Sequence, residues 1–141
     1  MYSLYVTAFA IAFALNIVWE NAHMSLYKNF NGDGSPLSRF LRSLYDSFMD
    51  AVLILSLFLF PALFLHLSLE WPFAAGFTEH VLLALLGGVV ATVIEWRALA
   101  TGRWQYTDKM PLVPILKVGL SPLIQLMILP SAIALLTALI V

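Results

Sequence analysis

The sequence predicts an all-α integral membrane protein, a bundle of four transmembrane helices arranged as two hairpins. Hydrophobic residues make up 62% of the 141 residues and charged residues only 11%, whereas a soluble domain has about 25% charged residues. The mean hydropathy is +0.93. The apolar residues form continuous runs rather than alternating with polar ones, which favours helices over the strands of a transmembrane barrel.

Charge and cysteine content exclude several classes of protein. The net charge is −1, so no nucleic-acid partner is expected. The chain has no cysteine, which excludes disulfides, thiolate catalysis and cysteine-bound metal clusters. The common motifs of soluble hydrolases, phosphate-loop proteins and zinc proteases are also absent from the sequence.

Four segments are long enough to cross a bilayer, which takes about 20 mostly apolar residues. They lie at about 3–26, 47–69, 79–100 and 112–140, within a single transmembrane domain covering 1–141. The first is interpreted as a retained helix, since no basic residue precedes it and its apolar run is longer than a signal-peptide core. The fourth contains three prolines, which can kink or break a helix.

The loops indicate the orientation. In the first loop, the stretch "PLSRFLRSLYDSF" has its apolar residues on one helical face, which predicts a short interfacial helix. This loop contains Lys28, Arg39 and Arg42, and the third contains Arg103 and Lys109, whereas the second loop and both termini contain neither lysine nor arginine. The positive-inside rule therefore predicts both termini outside, in a plasma (inner) membrane.

This topology brings polar residues to one depth in the cytoplasmic half. Glu20 and Glu95 lie near the inner ends of the first and third spans, and Asp50 near the inner start of the second. We expect one polar cavity there, lined by Asn16, Glu20, His23, Asp50, Glu95, Arg97 and Gln125.

Glu20 and His23 share one helical face at a spacing of three residues. Di-iron bundles use this spacing, but they need two such motifs and two further glutamates, so no metal or other cofactor is expected. A single ion held by Glu20, His23 and either Glu95 or Asp50 remains an alternative. A simple hydrogen-bonded pair at the membrane interface is another.

A carboxyl group in an apolar pocket can act as a general acid, which suits protonation of an alkene or epoxide in a lipid. Structural interpretations compete with this one. Glu95 can pair with Arg97, Arg103 or Lys109, and Asp46 and Asp50 can lie in the first turn of the second helix, near its positive dipole end.

Aromatic residues can shelter a cation formed by such chemistry. The candidates for substrate binding are Asn16, Trp19, Tyr27, Trp96, Trp104, Tyr106 and Gln125. The tryptophans and tyrosines can equally form the aromatic belt of any membrane protein. The strings "IVWE" and "VIEW" end the first and third spans, which indicates either a duplicated helical hairpin or the same belt.

Two stretches resemble known membrane enzymes. "IEWRALATGRWQYTDKMPLVP" resembles the carboxylate and aromatic run of lycopene-cyclase-domain proteins and carotenoid hydratases, and that of the emopamil-binding sterol isomerases. "NIVWENAHMSLY" resembles a stretch of the membrane terpene cyclases. The Pro-x-Glu-Glu motif of lycopene cyclases is absent. The resemblance implies that Glu20 and Glu95 are acid and base, with Trp19, Trp96, Trp104 and Tyr106 around an isoprenoid or sterol cation.

The leading hypothesis is therefore a membrane-embedded acid–base enzyme, an isomerase or cyclase, acting on an isoprenoid-like or other lipid. Its candidate catalytic residues are Glu20, Glu95, His23 and Asp50. A chain of this size would act as a homo-oligomer or with a partner membrane subunit. Two alternatives are a non-catalytic accessory subunit of a larger membrane complex and a proton- or cation-coupled transporter or channel subunit.

Overall fold

The computed structural model describes residues 2–28 and 34–141 of the chain. It is all-helical, with α1 Tyr2–His23, α2 Pro36–Phe64, α3 Phe77–Ala100 and α4 Leu120–Ile140. All four helices are long and apolar enough to cross a membrane, α1 together with the short 3₁₀ turn Met24–Leu26 that follows it. No strand forms among the described residues. The prediction of an all-α protein with four helices long and apolar enough to cross a membrane is confirmed.

Helix α2 begins much earlier than predicted. The Ser35 side chain accepts a hydrogen bond from the Ser38 backbone N–H at 3.2 Å, and Pro36 occupies the first turn, as both residue types prefer. No glycine or proline follows before Pro61, so the helix continues to Phe64 without a break. A separate interfacial helix in the first loop is therefore wrong, because that stretch forms the first turns of α2. The turn residues 29–33 lie outside the described residues.

The early start of α2 also corrects the position of its carboxyl groups. Asp46 and Asp50 lie in the third and fourth turns of the helix rather than in the first. The field of the helix dipole is confined to the first and last turns, so it does not account for Asp50.

Helix α4 begins later than predicted, at Leu120 instead of residue 112. Pro114 lacks a backbone donor and disfavours a helical conformation in the residue before it. The chain turns back on itself there, with an isolated β-bridge between Leu112 and Gly119 and a positive φ of 55° at Lys117. We call the irregular chain between α3 and α4, residues 101–119, the connecting segment.

The connecting segment lies across the ends of α1 and α3. Backbone hydrogen bonds join Lys28 N–H to Gln105 at 2.9 Å and Thr107 N–H to Leu26 at 2.9 Å. Trp96 of α3 donates its indole N–H to the Leu116 carbonyl at 2.7 Å. These bonds hold the segment over one end of the helices.

The helices do not pack equally on one another. Helix α1 packs extensively against α2 and α4, and α3 packs extensively against α4, whereas α2 and α3 barely meet. The backbones of α3 and α4 come close at Gly87, where a Cβ would lie 2.7 Å from the Leu126 carbonyl carbon. The core is apolar and includes Ala8, Ala12, Ala51, Ile54, Phe58, Leu83, Leu129, Ile133 and Ala134.

Candidate active site

A partly open cavity of about 370 Å³ lies where α2 and α3 fail to meet. Helices α1 and α4 also contribute to its wall, and Arg103 and Trp104 come from the connecting segment. The polar and aromatic lining residues are Glu20, His23, Tyr27, Arg42, Tyr45, Asp46, Asp50, Glu95, Arg103, Trp104 and Gln125. The cavity therefore contains all four residues that the sequence marked as catalytic candidates.

Gln125 of α4 contacts polar residues of α1 and α2. Its side-chain N–H₂ lies 2.9 Å from Asn16 Oδ1, 2.8 Å from Asp50 Oδ2 and 3.4 Å from Glu20 Oε1. Asn16 is fully buried behind the cavity wall and donates to the Ala12 carbonyl at 2.8 Å. An amide nitrogen has only two hydrogens, so the longest of the three contacts is the weakest.

Glu20 and His23 form the close pair that their spacing predicts. His23 Nε2 lies 3.1 Å from Glu20 Oε1, and His23 Nδ1 lies 2.8 Å from the Ser121 hydroxyl. A neutral imidazole can donate one of these bonds and accept the other. Glu20 and Asp50 both face the side-chain amide of Gln125, which brings the carboxyl groups of α1 and α2 together as a Glu20–Asp50 pair.

Glu95 forms a second carboxyl site on α3. Its Oε2 atom accepts a hydrogen bond from the Trp104 indole N–H at 3.2 Å and another from the Tyr106 hydroxyl. The Tyr106 oxygen in turn accepts from the Gly119 backbone N–H at 2.9 Å. The hydrogen-bond donors to Glu95 are therefore neutral side chains from the connecting segment.

Two tyrosines beside Glu95 keep their protons. Burial raises the pKa of Tyr106 well above its ordinary value, and the hydrogen bond to Glu95 adds to this. Burial also raises the pKa of Tyr27, as does the nearby charge of Glu95. The Tyr27 ring lies 6.2 Å from the Trp104 ring and 5.6 Å from the Tyr106 ring. The three rings form an aromatic cluster next to the carboxylate.

Three other predicted residues lie elsewhere. Trp96 is half-exposed, and its indole N–H bonds the Leu116 carbonyl. Arg97 is exposed and does not line the cavity, so its predicted place there is wrong. Both point away because they follow Glu95 directly, and neighbours on a helix face different directions. Trp19 packs against the core, and its buried indole N–H has no hydrogen-bond partner among the described residues.

Two charged α2 residues that precede Asp50 line the cavity but were not among the predicted site residues. Arg42 and Asp46 line the cavity and form an ion pair, with Arg42 Nε 3.7 Å from Asp46 Oδ2. Together with Asp50 they recur every four residues, the spacing of one helical face. This four-residue spacing is visible in the sequence, but it predicts a shared face only if the three residues belong to one helix, and residues 36–46 were assigned to a separate one.

Within the part of the chain that the structure describes, no group of three or more histidine or acidic residues is arranged to hold a metal ion. No protein-family model, no curated protein and no solved structure matches the chain. The geometry of the cavity is therefore the basis for a proposed function.

Proposed function

We propose that the protein is a membrane-embedded acid–base enzyme, of isomerase or cyclase type, that acts on an isoprenoid-like or other lipid. One observation carries the proposal. Two carboxyl sites with different hydrogen-bond partners, the Glu20–Asp50 pair and Glu95, line a single cavity among the membrane helices, and Glu20 and Glu95 are buried. Buried ionisable groups in a transmembrane segment are costly, which makes a functional role the default expectation.

The two sites suit opposite steps of a proton transfer. When the Glu20–Asp50 pair carries a proton, it can donate that proton to one carbon of a double bond, acting as a general acid. Glu95 accepts bonds from two neutral donors, which suits a carboxylate that removes a proton from the neighbouring carbon. One proton enters the substrate and one leaves it, so the double bond moves without any other reactant.

The aromatic cluster suits the intermediate of this reaction. Protonation of a double bond leaves a positive charge on carbon until the second proton departs. The faces of Tyr27 and Trp104 carry partial negative charge and can stabilise a cation held near them. His23 also lines the cavity, and its contact with Glu20 can hold that carboxyl group in place.

The proposal includes an arrangement in the membrane. Helices α1 and α2 form one hairpin and α3 and α4 another, with both termini outside and the cavity in the cytoplasmic half of a plasma membrane. The extensive packing of α1 on α2 and of α3 on α4 supports the hairpins. The lysines and arginines of the first loop and the connecting segment support the orientation.

Transport is the less favoured alternative. A proton or cation path would need polar groups through the full thickness of the bundle. Beyond Asn16 and Gln125, the interior consists mainly of apolar core residues such as Ala12, Ile54 and Leu129. The cavity resembles the pocket of an enzyme more than one half of a channel.

Deuterium labelling tests the proposal and requires no purified substrate. Membranes of the native host, washed free of soluble metabolites, are incubated in D₂O, and the extracted lipids are analysed by mass spectrometry. We expect wild-type protein to place deuterium on carbon in one lipid class. Glu20→Gln and Glu95→Gln should abolish this incorporation.

Glu70→Gln is the matched control, because Glu70 is an exposed carboxyl group on the connection between α2 and α3, outside the cavity lining. It should leave the labelling unchanged. If both cavity variants fold and label lipids at the wild-type rate, the carboxyl groups are not the acid and the base.

A further inference from the structure

The two halves of the chain share a pattern of helix starts and buried positions at a spacing of 75 residues. Helix α1 begins at Tyr2 and α3 at Phe77, and the same spacing relates Glu20 to Glu95. The buried residues of α1 are Ala8, Ala12, Asn16, Glu20 and His23, and their counterparts Leu83, Gly87, Ala91, Glu95 and Ala98 in α3 are all buried. The two helices thus bury equivalent faces, each with buried residues three or four positions apart.

The same spacing relates α2 to the last part of the chain. Six of the seven buried residues of α2 have buried counterparts: Ser43, Ser47, Ala51, Ile54, Phe58 and Ala62 correspond to Val118, Pro122, Leu126, Leu129, Ile133 and Thr137. The seventh, Leu57, corresponds to the half-buried Ala132. Asp50 corresponds to Gln125, so an acid in one half is replaced by an amide in the other.

One pair of contacts breaks this repeat. If α1 corresponds to α3 and α2 to α4, the contact of α1 with α4 corresponds to a contact of α3 with α2. The first contact is extensive and the second is almost absent. The cavity lies in the place of the missing contact, with Glu95 and Asp50 on opposite helices.

We infer that the gap between α2 and α3 is an entrance from the bilayer, through which the apolar chain of a membrane lipid reaches the carboxyl groups. The gap is bordered by apolar residues, Met49 and Leu53 on α2 and Ala91 and Ile94 on α3. Met49 is 45% exposed although it lines the cavity, so the cavity opens to the side at this helix.

At the other end, the connecting segment is hydrogen-bonded to Leu26 and Lys28 and contributes Arg103 and Trp104 to the cavity wall, so that end of the cavity is polar and aromatic while the side between α2 and α3 is apolar. The volume of about 370 Å³ falls within the range of about 300–1,000 Å³ for ligand pockets, enough for part of one lipid chain. This inference rests on the proposed function for the fate of the lipid, but its binding can be measured separately.

The cysteine-free chain allows a clean test. Trp104 serves as the reporter in a background where Trp19, Trp71 and Trp96 are replaced by phenylalanine. The probe is a bilayer of phosphatidylcholine with dibrominated acyl chains, because bromine quenches indole fluorescence on contact. Leu53→Cys combined with Ile94→Cys provides a pair that a short, reducible thiol cross-linker can join across the gap.

We expect the bromolipid to quench Trp104 before cross-linking, the cross-link to abolish the quenching, and reduction of the cross-linker to restore it. Recovery of the quenching on reduction would show that the double variant stayed folded while it was cross-linked. Each single-cysteine variant, treated with the same reagent, should remain quenched.

Two results would overturn the inference. Quenching that survives the cross-link would mean that Trp104 meets lipid by another route. Quenching by aqueous acrylamide but not by bromolipid would mean that the cavity is filled from water.

Glu95→Gln separates this inference from the proposed chemistry. It should keep the bromolipid quenching while it loses deuterium incorporation. A wild-type protein that is quenched but labels no lipid would retain the entrance and refute only the enzyme.

Discussion

Gly87 and Gly88 offer a sharp test of how α3 packs on α4. A Cβ at Gly87 would overlap the backbone carbonyl group of Leu126, which belongs to helix α4 and cannot rotate away. A Cβ at Gly88 would lie 3.3 Å from Cγ and 3.4 Å from Sδ of Met127, a flexible side chain that can move. Alanine at Gly87 must therefore separate the helices, and alanine at Gly88 need not.

The magnitude follows from comparing the two variants. Replacement of a helical glycine by alanine gains about 1 kcal/mol of helix propensity at either site, so this gain cancels in the comparison. Overpacking costs about 1–3 kcal/mol, and a clash with backbone belongs at the upper end of that range. We expect Gly87→Ala to be about 2–3 kcal/mol less stable than Gly88→Ala.

Unfolding of each variant in mixed micelles with increasing denaturing detergent measures this difference, with tryptophan fluorescence as the signal. The site provides a second readout. Because α4 also carries Gln125, a displaced α4 should weaken the contacts of Gln125 with Glu20 and Asp50. Equal stabilities for the two alanine variants would refute the close approach of α3 and α4 at Gly87.

Three further predictions concern the connecting segment and α2. Tyr106→Phe removes the hydroxyl that donates to Glu95 and accepts from Gly119, so it should destabilise the protein by about 1–3 kcal/mol in the same unfolding assay. The raised pKa values of Tyr106 and Tyr27 mean that the folded protein holds both phenol protons more tightly than the unfolded chain does. The stability that these two phenol groups contribute should be complete below about pH 10 and should fall as the pH rises further. Because Tyr106 stays protonated in the folded protein, folded Tyr106→Phe and folded wild type should have the same tyrosinate absorbance at about pH 11. Ser35→Ala removes the N-cap of α2 and should cost about 1 kcal/mol, with faster amide exchange in the first turns.

Each of these predictions has a contrary result. A Tyr106→Phe variant as stable as wild type would show that Glu95 does not depend on the hydroxyl. A loss of absorbance at high pH in the same variant would show that Tyr106 ionises in the folded protein. Unchanged exchange in Ser35→Ala would mean that residues 36–46 are not stabilised by this cap.

The sequence alone was sufficient for the all-α class and for the number of helices long and apolar enough to cross a membrane. Those features depend on the hydrophobicity of continuous stretches, which is a local property of the chain. Spacing alone also predicted the Glu20–His23 pair, since residues three apart on a helix are neighbours in any surroundings. The common depth of Glu20, Asp50 and Gln125 likewise followed from counting residues along the helices.

Helix boundaries were predicted less well, because hydropathy marks where a chain can enter a membrane and not where a helix starts. The first turns of α2 are amphipathic yet belong to the same helix as the apolar span, and the apolar stretch before α4 contains Pro114 and is not helical. In both cases backbone hydrogen bonding decided the outcome, through a serine cap in one and a missing donor in the other.

Only the tertiary structure decided which polar residues face the cavity. Trp96 and Arg97 are next to Glu95 in the sequence but point elsewhere, while Trp104 and Tyr106 reach Glu95 by way of the connecting segment. The cavity itself exists because α2 and α3 do not pack together as α1 and α4 do. That difference depends on how whole helix surfaces fit one another, a property of pairs of helices that no single stretch of sequence contains.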